Sequence, residues 1–289
     1  MNKSIIELIP KVSVIISTYS SENFMKECLD ELVKQTIFEK LEIIVIDAAS
    51  PQKEKEIVTS YQKRYDNISY LRLNKRIGIY PAWNIGIKKT TAAYITPFST
   101  NDRLNPLAYE ILSKSLDENP SIDLAYGDTY LSHIPHTPFE HGIDAPGMVQ
   151  KWDEYSYKYL LEDNCIGPHP MWRRKIHDTV GYFSEDYVAL GDQEFWLRLG
   201  RHSKMLHIPF FSGLFWWSKK SLSGQDISHT EFLSIRKKYS QQYLNDYNLL
   251  KDNLKSIEEL IHLGQKEKAK KLVEESKKQY FYMFENFNI

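Results

Sequence analysis

Hydrophobic positions in the first hundred residues follow two patterns that alternate along the chain. Short apolar runs, rich in β-branched residues, predict four buried strands, at 12–16, 41–46, 68–73 and 93–97. The segments between them have helical spacing or helix-forming composition and predict helices at 22–35, 52–65 and 80–89. Strands that alternate with helices in this way form parallel sheets. We therefore expect an α/β fold with a Rossmann-like, mainly parallel central sheet and flanking helices.

The pattern changes twice later in the chain. After an apolar run at 124–130, the segment 133–152 contains three prolines and two glycines (Pro135, Pro138, Gly142, Pro146 and Gly147), and a loop this long predicts a lid or a mobile segment. Residues 230–289 contain no proline and have continuous helical patterning, with a helix–glycine–helix reading at 260–276.

These changes predict one domain at 1–229 and a C-terminal helical region at 230–289. The regular alternation ends near residue 130 and divides the domain into halves at about 1–130 and about 131–229. The helical region is expected either to pack on the domain or to form a homodimer.

Composition narrows the class of partner and compartment. The 289 residues have a formal net charge of −1, so no basic field indicates nucleic acid as a partner. Cys28 and Cys165 match no metal or redox spacing, which favours a reducing compartment. Residues 1–10 lack the features of a signal peptide, and the apolar stretch 205–217 is too short to span a bilayer. We expect a cytoplasmic protein, either free or peripheral at the inner face of the membrane.

Polar residues follow the predicted strands at their carboxyl ends, where parallel α/β sheets bind ligands. Ser17 to Tyr19 follow the first strand, Asp47 ends the second, and Asn101 and Asp102 follow the fourth. Asp102 could hold a divalent cation that bridges a nucleotide diphosphate, and Asp47 could accept hydrogen bonds from a base or ribose. The alternative for either acid is a helix cap or a turn.

Four segments in this order resemble glycosyltransferase family 2, whose members have the GT-A fold. Residues 12–20 (VSVIISTYS) look like the family's opening strand, and 43–50 (IIVIDAAS) look like its Val-Val-Asp-Asp-Gly-Ser segment. Residues 75–78 (KRIG) with 82–87 (AWNIGI) resemble its Asn-Arg-Gly and Asn-x-Gly-Ile stretch, and 94–106 correspond to its metal-binding Asp-x-Asp region. Four ordered motifs are far more specific than any one of them.

The resemblance implies that 1–229 is a catalytic domain with a nucleotide-binding half at about 1–130 and an acceptor half at about 131–229. It also implies a role for each matching residue on the donor side. Contacts to a nucleotide sugar are implied for Ser17, Thr18, Tyr19, Asp47, Arg76 and Asn101. Asp102 would ligate Mg²⁺ or Mn²⁺. Two residues depart from the family pattern: Ala48 replaces an acid that often reads the base, and Asn101 replaces the first acid assigned to the metal motif. The nucleotide therefore stays open, with UDP the first expectation, and metal affinity is expected to be modest.

A later segment implies the catalytic base. Residues 191–199 (GDQEFWLRL) resemble the family's Glu-Asp-x-(Asp/Glu)-x-Trp-Leu-Arg segment. Asp192 would remove the proton from the acceptor hydroxyl in an inverting transfer, and Glu194 would orient the acceptor. The alternative is a pair of first-turn acids that complement a helix dipole.

Residues 167–174 would form the acceptor-side wall and bring in His169 and Trp172, the latter being equally compatible with a core position. Three histidines, His169, His207 and His229, are candidates for a third metal ligand, each with an ordinary surface or core position as the alternative. Lys219 and Lys220 could pair with phosphate or be solvated.

The sequence therefore predicts an inverting glycosyltransferase that moves a hexose or N-acetylhexosamine. The donor would be a nucleotide sugar, and the acceptor a saccharide, a glycoprotein or a lipid-linked sugar. The alternative is a binding or scaffold protein of the same fold that acts through its C-terminal helices. A nucleotidyltransferase is disfavoured, because no glycine-rich basic loop follows the first strand.

Overall fold

The structure, a computed structural model, describes residues 9–142 and 149–284, without the side chain of Ser223. Pro146 and Gly147 of the predicted lid, most of the N-terminal segment 1–10 and residues 285–289 of the C-terminal region lie outside the described residues.

The first half of the chain forms the parallel part of one large sheet. Its strands are β1 (Val12–Thr18), β2 (Leu41–Asp47), β3 (Ile68–Arg72) and β4 (Tyr94–Pro97), in the order β3-β2-β1-β4. Helices α1 (Glu22–Val33), α2 (Glu54–Gln62) and α3 (Ile79–Ile87) connect them. Because strands of such sheets are buried on both faces, they read as nearly continuous apolar runs. The four predicted strands and three predicted helices are confirmed.

The second half extends the same sheet with mixed orientations. It contributes β5 (Arg103–Leu104), β6 (Ile122–Ser132), β7 (Val149–Gln150), β8 (Met171–Arg173) and β9 (Lys204–Trp216), with β4 followed by β8, β6, β9 and β5. Strand β8 is antiparallel to both β4 and β6, whereas β6 and β9 are parallel. The fold class is confirmed, but the parallel arrangement extends only through the first half. Two- and three-residue strands carry no hydrophobic period, so the sequence did not predict β5, β7 or β8.

Helices in the second half are short up to the C-terminal region. They are α4 (Ala108–Glu118), α5 (Tyr157–Glu162), α6 (His177–Val180) and α7 (Gly191–Gly200). Single 3₁₀ turns occur at Phe38–Lys40, Phe139–Gly142, Arg174–Ile176, Leu222–Gly224 and Phe281–Met283.

The C-terminal region consists of a long helix and a shorter one that return towards the sheet. Helix α8 (Asp226–His262) begins four residues before the predicted boundary, and α9 (Lys266–Gln279) follows the turn at Gly264. Gly264 has φ +71°, which glycine adopts without strain, and its N–H bonds the Ile261 carbonyl at 3.0 Å. The helix–glycine–helix prediction is therefore confirmed.

Side chains of α8 belong to the main hydrophobic core. Ile235 and Tyr239 are 1% and 3% exposed, and they share a cluster with Trp172 and Trp196 of the domain. The region thus packs on the domain, one of the two expected arrangements, while the homodimer stays a prediction. Among the described residues, no helix combines the length and apolar character needed to cross a bilayer.

If α8 is part of the domain's cooperative core, Ile235→Ala should lower the free energy of unfolding by about 2–5 kcal/mol, because it opens a cavity among packed side chains. Leu233→Ala, two residues away on the same helix but 52% exposed, should change it by less than about 0.5 kcal/mol. Urea unfolding followed by far-UV circular dichroism measures both. Equal small effects would show that α8 melts independently of the domain.

Candidate functional site

Two adjoining cavities lie at the carboxyl ends of the parallel strands. The strand-end cavity has a volume of about 460 Å³ and is lined by Ser17, Thr18, Tyr19, Ala48, Arg76, Ile77, Gly78, Ile79, Ala82, Val188 and Leu222. The central cavity, about 370 Å³, contains in its wall Ser99, Asn101, Asp192 and the aromatic residues Tyr80, Trp83, Trp152, Trp196, Phe215 and Trp216. Ile79 and Leu222 line both, so the two form one cleft.

Four predicted donor-binding residues meet in the strand-end cavity: Ser17, Thr18, Tyr19 and Arg76. The guanidinium carbon of Arg76 lies 4.2 Å from the centre of the Tyr19 ring, a cation–π distance. Ala48 lines the same cavity where β2 ends. The cavity therefore presents an aromatic ring, a cation and hydroxyl groups, which suit a nucleotide.

Asp47 lies behind this cavity and is not among the residues that line it. Its side chain is fully buried, and Oδ1 accepts a hydrogen bond from the Ser50 N–H at 2.6 Å. Oδ2 accepts from Arg72 at 2.6 Å and from the Tyr70 hydroxyl. Burial, followed by the bond to Asp47, raises the pKa of Tyr70. In this structure Asp47 stabilises the loop that carries Ala48, and the predicted contact to base or ribose stays a prediction.

Burial alternates along the segment that follows β4. Ser99 and Asn101 are half-buried and line the central cavity, whereas Thr100 and Asp102 are buried. Asp102 is fully buried, and its Oδ1 accepts from the Trp216 N–H at 3.2 Å. Ser99 and Asn101 thus face the cleft, whereas Thr100 and the carboxylate of Asp102 are buried away from it.

Asp102 and His169 form a buried pair. Asp102 Oδ2 lies 3.4 Å from His169 Nε2, and His169 is 2% exposed. Neither atom has a hydrogen bond of good geometry to another described residue. Neither residue lines one of the two cavities, so the predicted metal ligand and the predicted acceptor-wall histidine lie together behind the cleft.

The donor set in the cleft does not fit a divalent cation. Mg²⁺ and Mn²⁺ prefer carboxylate oxygens, but Asp192 is the single acidic side chain lining the two cavities in the described part of the chain. No group of three His, Cys, Asp or Glu side chains there could hold a metal. His207 binds Asp128 at 2.9 Å, and among the described residues neither His207 nor His229 forms such a group with Asp102 and His169.

Asp192 lies in the first turn of α7 and forms part of the wall of the central cavity. Its Oδ1 accepts from the Gln193 N–H at 2.9 Å and lies 3.1 Å from the Tyr80 hydroxyl. Among the described residues every hydrogen bond to this carboxylate goes to Oδ1, which leaves Oδ2 available. Burial raises the pKa of Asp192 above its usual 3.8, against the lowering effect of these two donors. The result is an oriented carboxylate of increased basicity.

A second carboxylate holds the segment that leads into α7. Glu231 of α8 is 7% exposed and accepts three backbone N–H bonds, from Val188 at 2.6 Å, Ala189 at 2.9 Å and Leu190 at 2.8 Å. The single proton of the Tyr80 hydroxyl is shared between the Ala189 carbonyl at 2.7 Å and Asp192 Oδ1 at 3.1 Å. Glu231 therefore acts through this segment on the position of Asp192.

Sequence reasoning missed Tyr80 and Glu231, because both act over long sequence separations. No local pattern distinguishes Glu231 from the other acids of a charged helix. One signal does lie near Tyr80: a Cβ at Gly191 would come within 2.7 Å of the Tyr80 ring. The glycine before Asp192 thus marks a close approach of an aromatic ring.

Glu194 and Trp172, both predicted on the acceptor side, lie away from the two cavities. Glu194 is 3% exposed and accepts from the Tyr239 hydroxyl at 2.5 Å and from Arg198 at 2.9 Å, so it joins α7 to α8. Trp172 is 1% exposed, donates its indole N–H to His177 at 3.0 Å and packs against Trp196. In this structure Trp172 lies in the hydrophobic core, which was the alternative to a position in the acceptor-side wall.

A third cavity of about 310 Å³ continues the cleft towards α8. It shares Asn164 and Leu190 with the central cavity and is completed by Asp163, Gln193, Ser228, His229 and Phe232. Three of these residues come from α8. The C-terminal helix therefore contributes directly to the wall beside Asp192.

Comparison with known proteins identifies the family. The model of "Glycosyl transferase family 2" matches residues 13–223, well over half of the chain. An uncharacterized glycosyltransferase of Methanocaldococcus jannaschii is 26% identical over 198 residues, 65% of this chain and 64% of that protein. Glycosyltransferase AglE of Haloferax volcanii is 34% identical over 185 residues, 64% of this chain and 59% of that protein. These matches span less than two thirds of the relatives' own length.

Solved structures show the same fold at low sequence identity. S. aureus TarS in complex with UDP-GlcNAc has a TM-score of 0.65 at 19% identity, covering 81% of this chain and 67% of that one. A mannosyltransferase of Pyrobaculum calidifontis in complex with GDP-Man and Mn²⁺ has a TM-score of 0.59 at 15% identity, covering 81% and 65%.

The Glu231 contact predicts a local change that hydrogen exchange can detect. In Glu231→Gln the three amides lose an ionised acceptor, and their protection at Val188, Ala189 and Leu190 should fall by about tenfold or more. Amide hydrogen exchange followed by mass spectrometry measures this. Glu258→Gln, an exposed acid on the same helix, is the matched control and should leave the segment unchanged. Unchanged protection in Glu231→Gln would mean that the segment is held by other contacts.

Proposed function

Since this chain belongs to glycosyl transferase family 2, we propose that it is an inverting glycosyltransferase that uses a nucleoside diphosphate sugar. It would move a hexose or N-acetylhexosamine to an acceptor hydroxyl. The observation that carries the proposal is the position of Asp192, a carboxylate with an available Oδ2 in the cavity that adjoins the predicted nucleotide pocket.

The strand-end cavity is the proposed site of the nucleotide. The Tyr19 ring and the Arg76 guanidinium provide a stacking surface and a positive charge, and Ser17 and Thr18 supply hydroxyl groups. UDP-sugars are the first donors to test, because TarS, which shares the fold, was solved with UDP-GlcNAc. The complex of the Pyrobaculum enzyme with GDP-Man supports including GDP-sugars. Asp47 and Asn101 stay predicted donor contacts, and Asn101 already lies in the adjoining wall.

The proposed chemistry is a single displacement. Asp192 Oδ2 accepts the proton of the acceptor hydroxyl while that oxygen forms a bond to the anomeric carbon. The bond between this carbon and the diphosphate oxygen breaks on the opposite face, and the nucleoside diphosphate leaves with the electron pair. Attack opposite the leaving group inverts the anomeric configuration. The raised pKa of Asp192 makes it a better base than a solvated carboxylate.

The acceptor is proposed to enter through the central cavity. Trp83, Trp152 and Trp216 in its wall suit stacking against sugar rings, and a saccharide, a glycoprotein glycan or a lipid-linked sugar would each present such a ring. Glu194 is assigned here a positioning role through α8, not contact with the acceptor. The predicted Mg²⁺ or Mn²⁺ at Asp102 is not carried into this proposal, because that carboxylate lies outside the cleft.

The donor and the base can be tested together. A thermal-shift panel of UDP-, GDP- and dTDP-sugars identifies the donor, because a ligand that binds only the folded state raises its melting temperature. Asp192→Asn should then lower the transfer rate by about 10²–10⁴-fold with donor affinity unchanged. Nucleoside diphosphate release measures the rate, and the exposed Asp186→Asn is the control. Full activity of Asp192→Asn would exclude the base assignment, and absence of binding by every donor would favour the scaffold alternative.

The pH dependence follows from the pKa of Asp192. Only the ionised carboxylate accepts the proton, so activity is lost as the pH falls through this pKa, which burial raises above 3.8. The Tyr80 hydroxyl stabilises the charged form and holds the pKa lower than burial alone would. Tyr80→Phe should therefore move the acidic limb of the kcat profile to higher pH while the ring packing is retained. A limb that stays in place, or moves to lower pH, would show that another group governs it.

A further inference from the structure

We propose that this chain binds its nucleoside diphosphate sugar without a divalent cation, and that its own basic side chains meet the charge of the diphosphate. The inference rests on the proposed function. It follows from the placement of the segment 99–102, from the buried partners of Asp102, and from the cations that border the cleft.

The first observation is the alternation of the segment 99–102. Ser99 and Asn101 line the central cavity, while Thr100 and Asp102 turn into the core. A cation that bridges a diphosphate must reach the cleft, where this segment offers one hydroxyl and one amide. Both are neutral, so neither supplies the carboxylate charge that holds Mg²⁺ or Mn²⁺.

The second observation is that the one acid of this segment is buried away from the cleft. Its Oδ1 accepts from the backbone N–H of Trp216, and its Oδ2 faces His169 Nε2 at 3.4 Å. A cation between Asp102 and His169 would have two protein ligands, at a place where Asp102 is 0% and His169 is 2% exposed. Neither residue lines the strand-end cavity or the central cavity, where the donor is proposed to bind. We therefore assign this pair a structural role and not that of half a metal centre.

The third observation is the basic border of the cleft. Arg76 is exposed and lines the strand-end cavity. Lys219 and Lys220 are exposed, have no acidic partner among the described residues, and directly precede Ser221 and Leu222, which line the central cavity. One cation in the cleft wall and two that adjoin it in sequence are thus not paired with an acid in the described part of the chain. We assign to them the charge compensation that a metal would otherwise supply.

Calorimetric titration of the full chain with UDP and with GDP tests the proposal. Each nucleotide is titrated once after treatment with EDTA and once with excess MnCl₂. The affinity for the nucleotide that binds should differ by less than about threefold between the two conditions, under 1 kcal/mol. A loss of about tenfold or more in EDTA overturns the inference while leaving the proposed function intact. Absence of binding in both conditions contradicts the proposed function, and the inference with it.

A double variant tests the proposal without comparing nucleotide binding by the wild-type chain in EDTA and in MnCl₂. Ser99→Asp with Asn101→Asp places two carboxylates in the cleft, and this variant should bind Mn²⁺ in the absence of nucleotide. Binding is measured as the loss of the electron paramagnetic resonance signal of free Mn²⁺. UDP or GDP affinity in EDTA should fall by about tenfold or more through charge repulsion and recover with Mn²⁺. Asn248→Asp with Ser256→Asp adds the same charge on the exposed face of α8 and should show neither effect.

Two outcomes would count directly against the proposal. The first is that the wild-type chain binds Mn²⁺ in the resonance assay and that Asp102→Asn abolishes this binding. Asp102 would then be a metal ligand. Lys219→Met with Lys220→Met is expected to weaken nucleotide binding by about tenfold in EDTA. Unchanged affinity there would remove the assigned charge compensation. The melting temperature of each variant establishes that it is folded.

Discussion

The carboxylate of Glu231 organises the part of the molecule where chemistry is proposed. Three consecutive backbone N–H groups donate to it just before α7 begins, and they have no backbone acceptor in the described part of the chain. Hydrogen bonds to an ionised group are roughly twice as strong as neutral ones. Because Glu231 belongs to α8, the C-terminal region holds the segment that leads directly to Asp192. A boundary drawn at residue 230 from composition therefore separates two parts that work together.

Further contacts join α7 to α8. Tyr239 donates to Glu194, Arg198 binds Glu194, and Ile235 packs in the cluster that contains Trp196. The acids of the first turn of α7 thus divide into two roles. Asp192 faces the cleft with one oxygen available, and Glu194 faces α8 with both oxygens engaged. Side chains two residues apart on a helix point about 200° apart around its axis. This explains why two acids of one motif face opposite directions, one towards the cleft and the other towards α8.

Much of the fold could be predicted from the sequence, because the first half repeats a local pattern. Apolar runs such as 41–46 are long enough to identify a strand, and Gly264 marks the C-terminal turn. Strand β8 has three residues and pairs with β4 and β6 from distant parts of the chain, so no local period reveals it. The residues of the cleft also divide into those that a local pattern predicts and those that depend on distant contacts. Ser17 and Tyr19 were predicted from a strand end and Arg76 from the family resemblance, while Tyr80 and Glu231 depend on contacts across more than 40 residues.

The segment 99–102 shows why residue type and position must be considered together. An acid placed opposite a diphosphate repels it by about 4 kcal/mol per charge pair at 4 Å, at the effective dielectric of a protein surface, unless a cation intervenes. With Ser99 and Asn101 in the wall, this segment contributes no such repulsion, and on our proposal no bridging cation is required to offset it. Asp102 instead lies where burial and the Trp216 N–H confine it. The presence of an acid in a motif therefore does not place its charge in the cleft, and the alternation of burial along these four residues decides which side chains a donor meets.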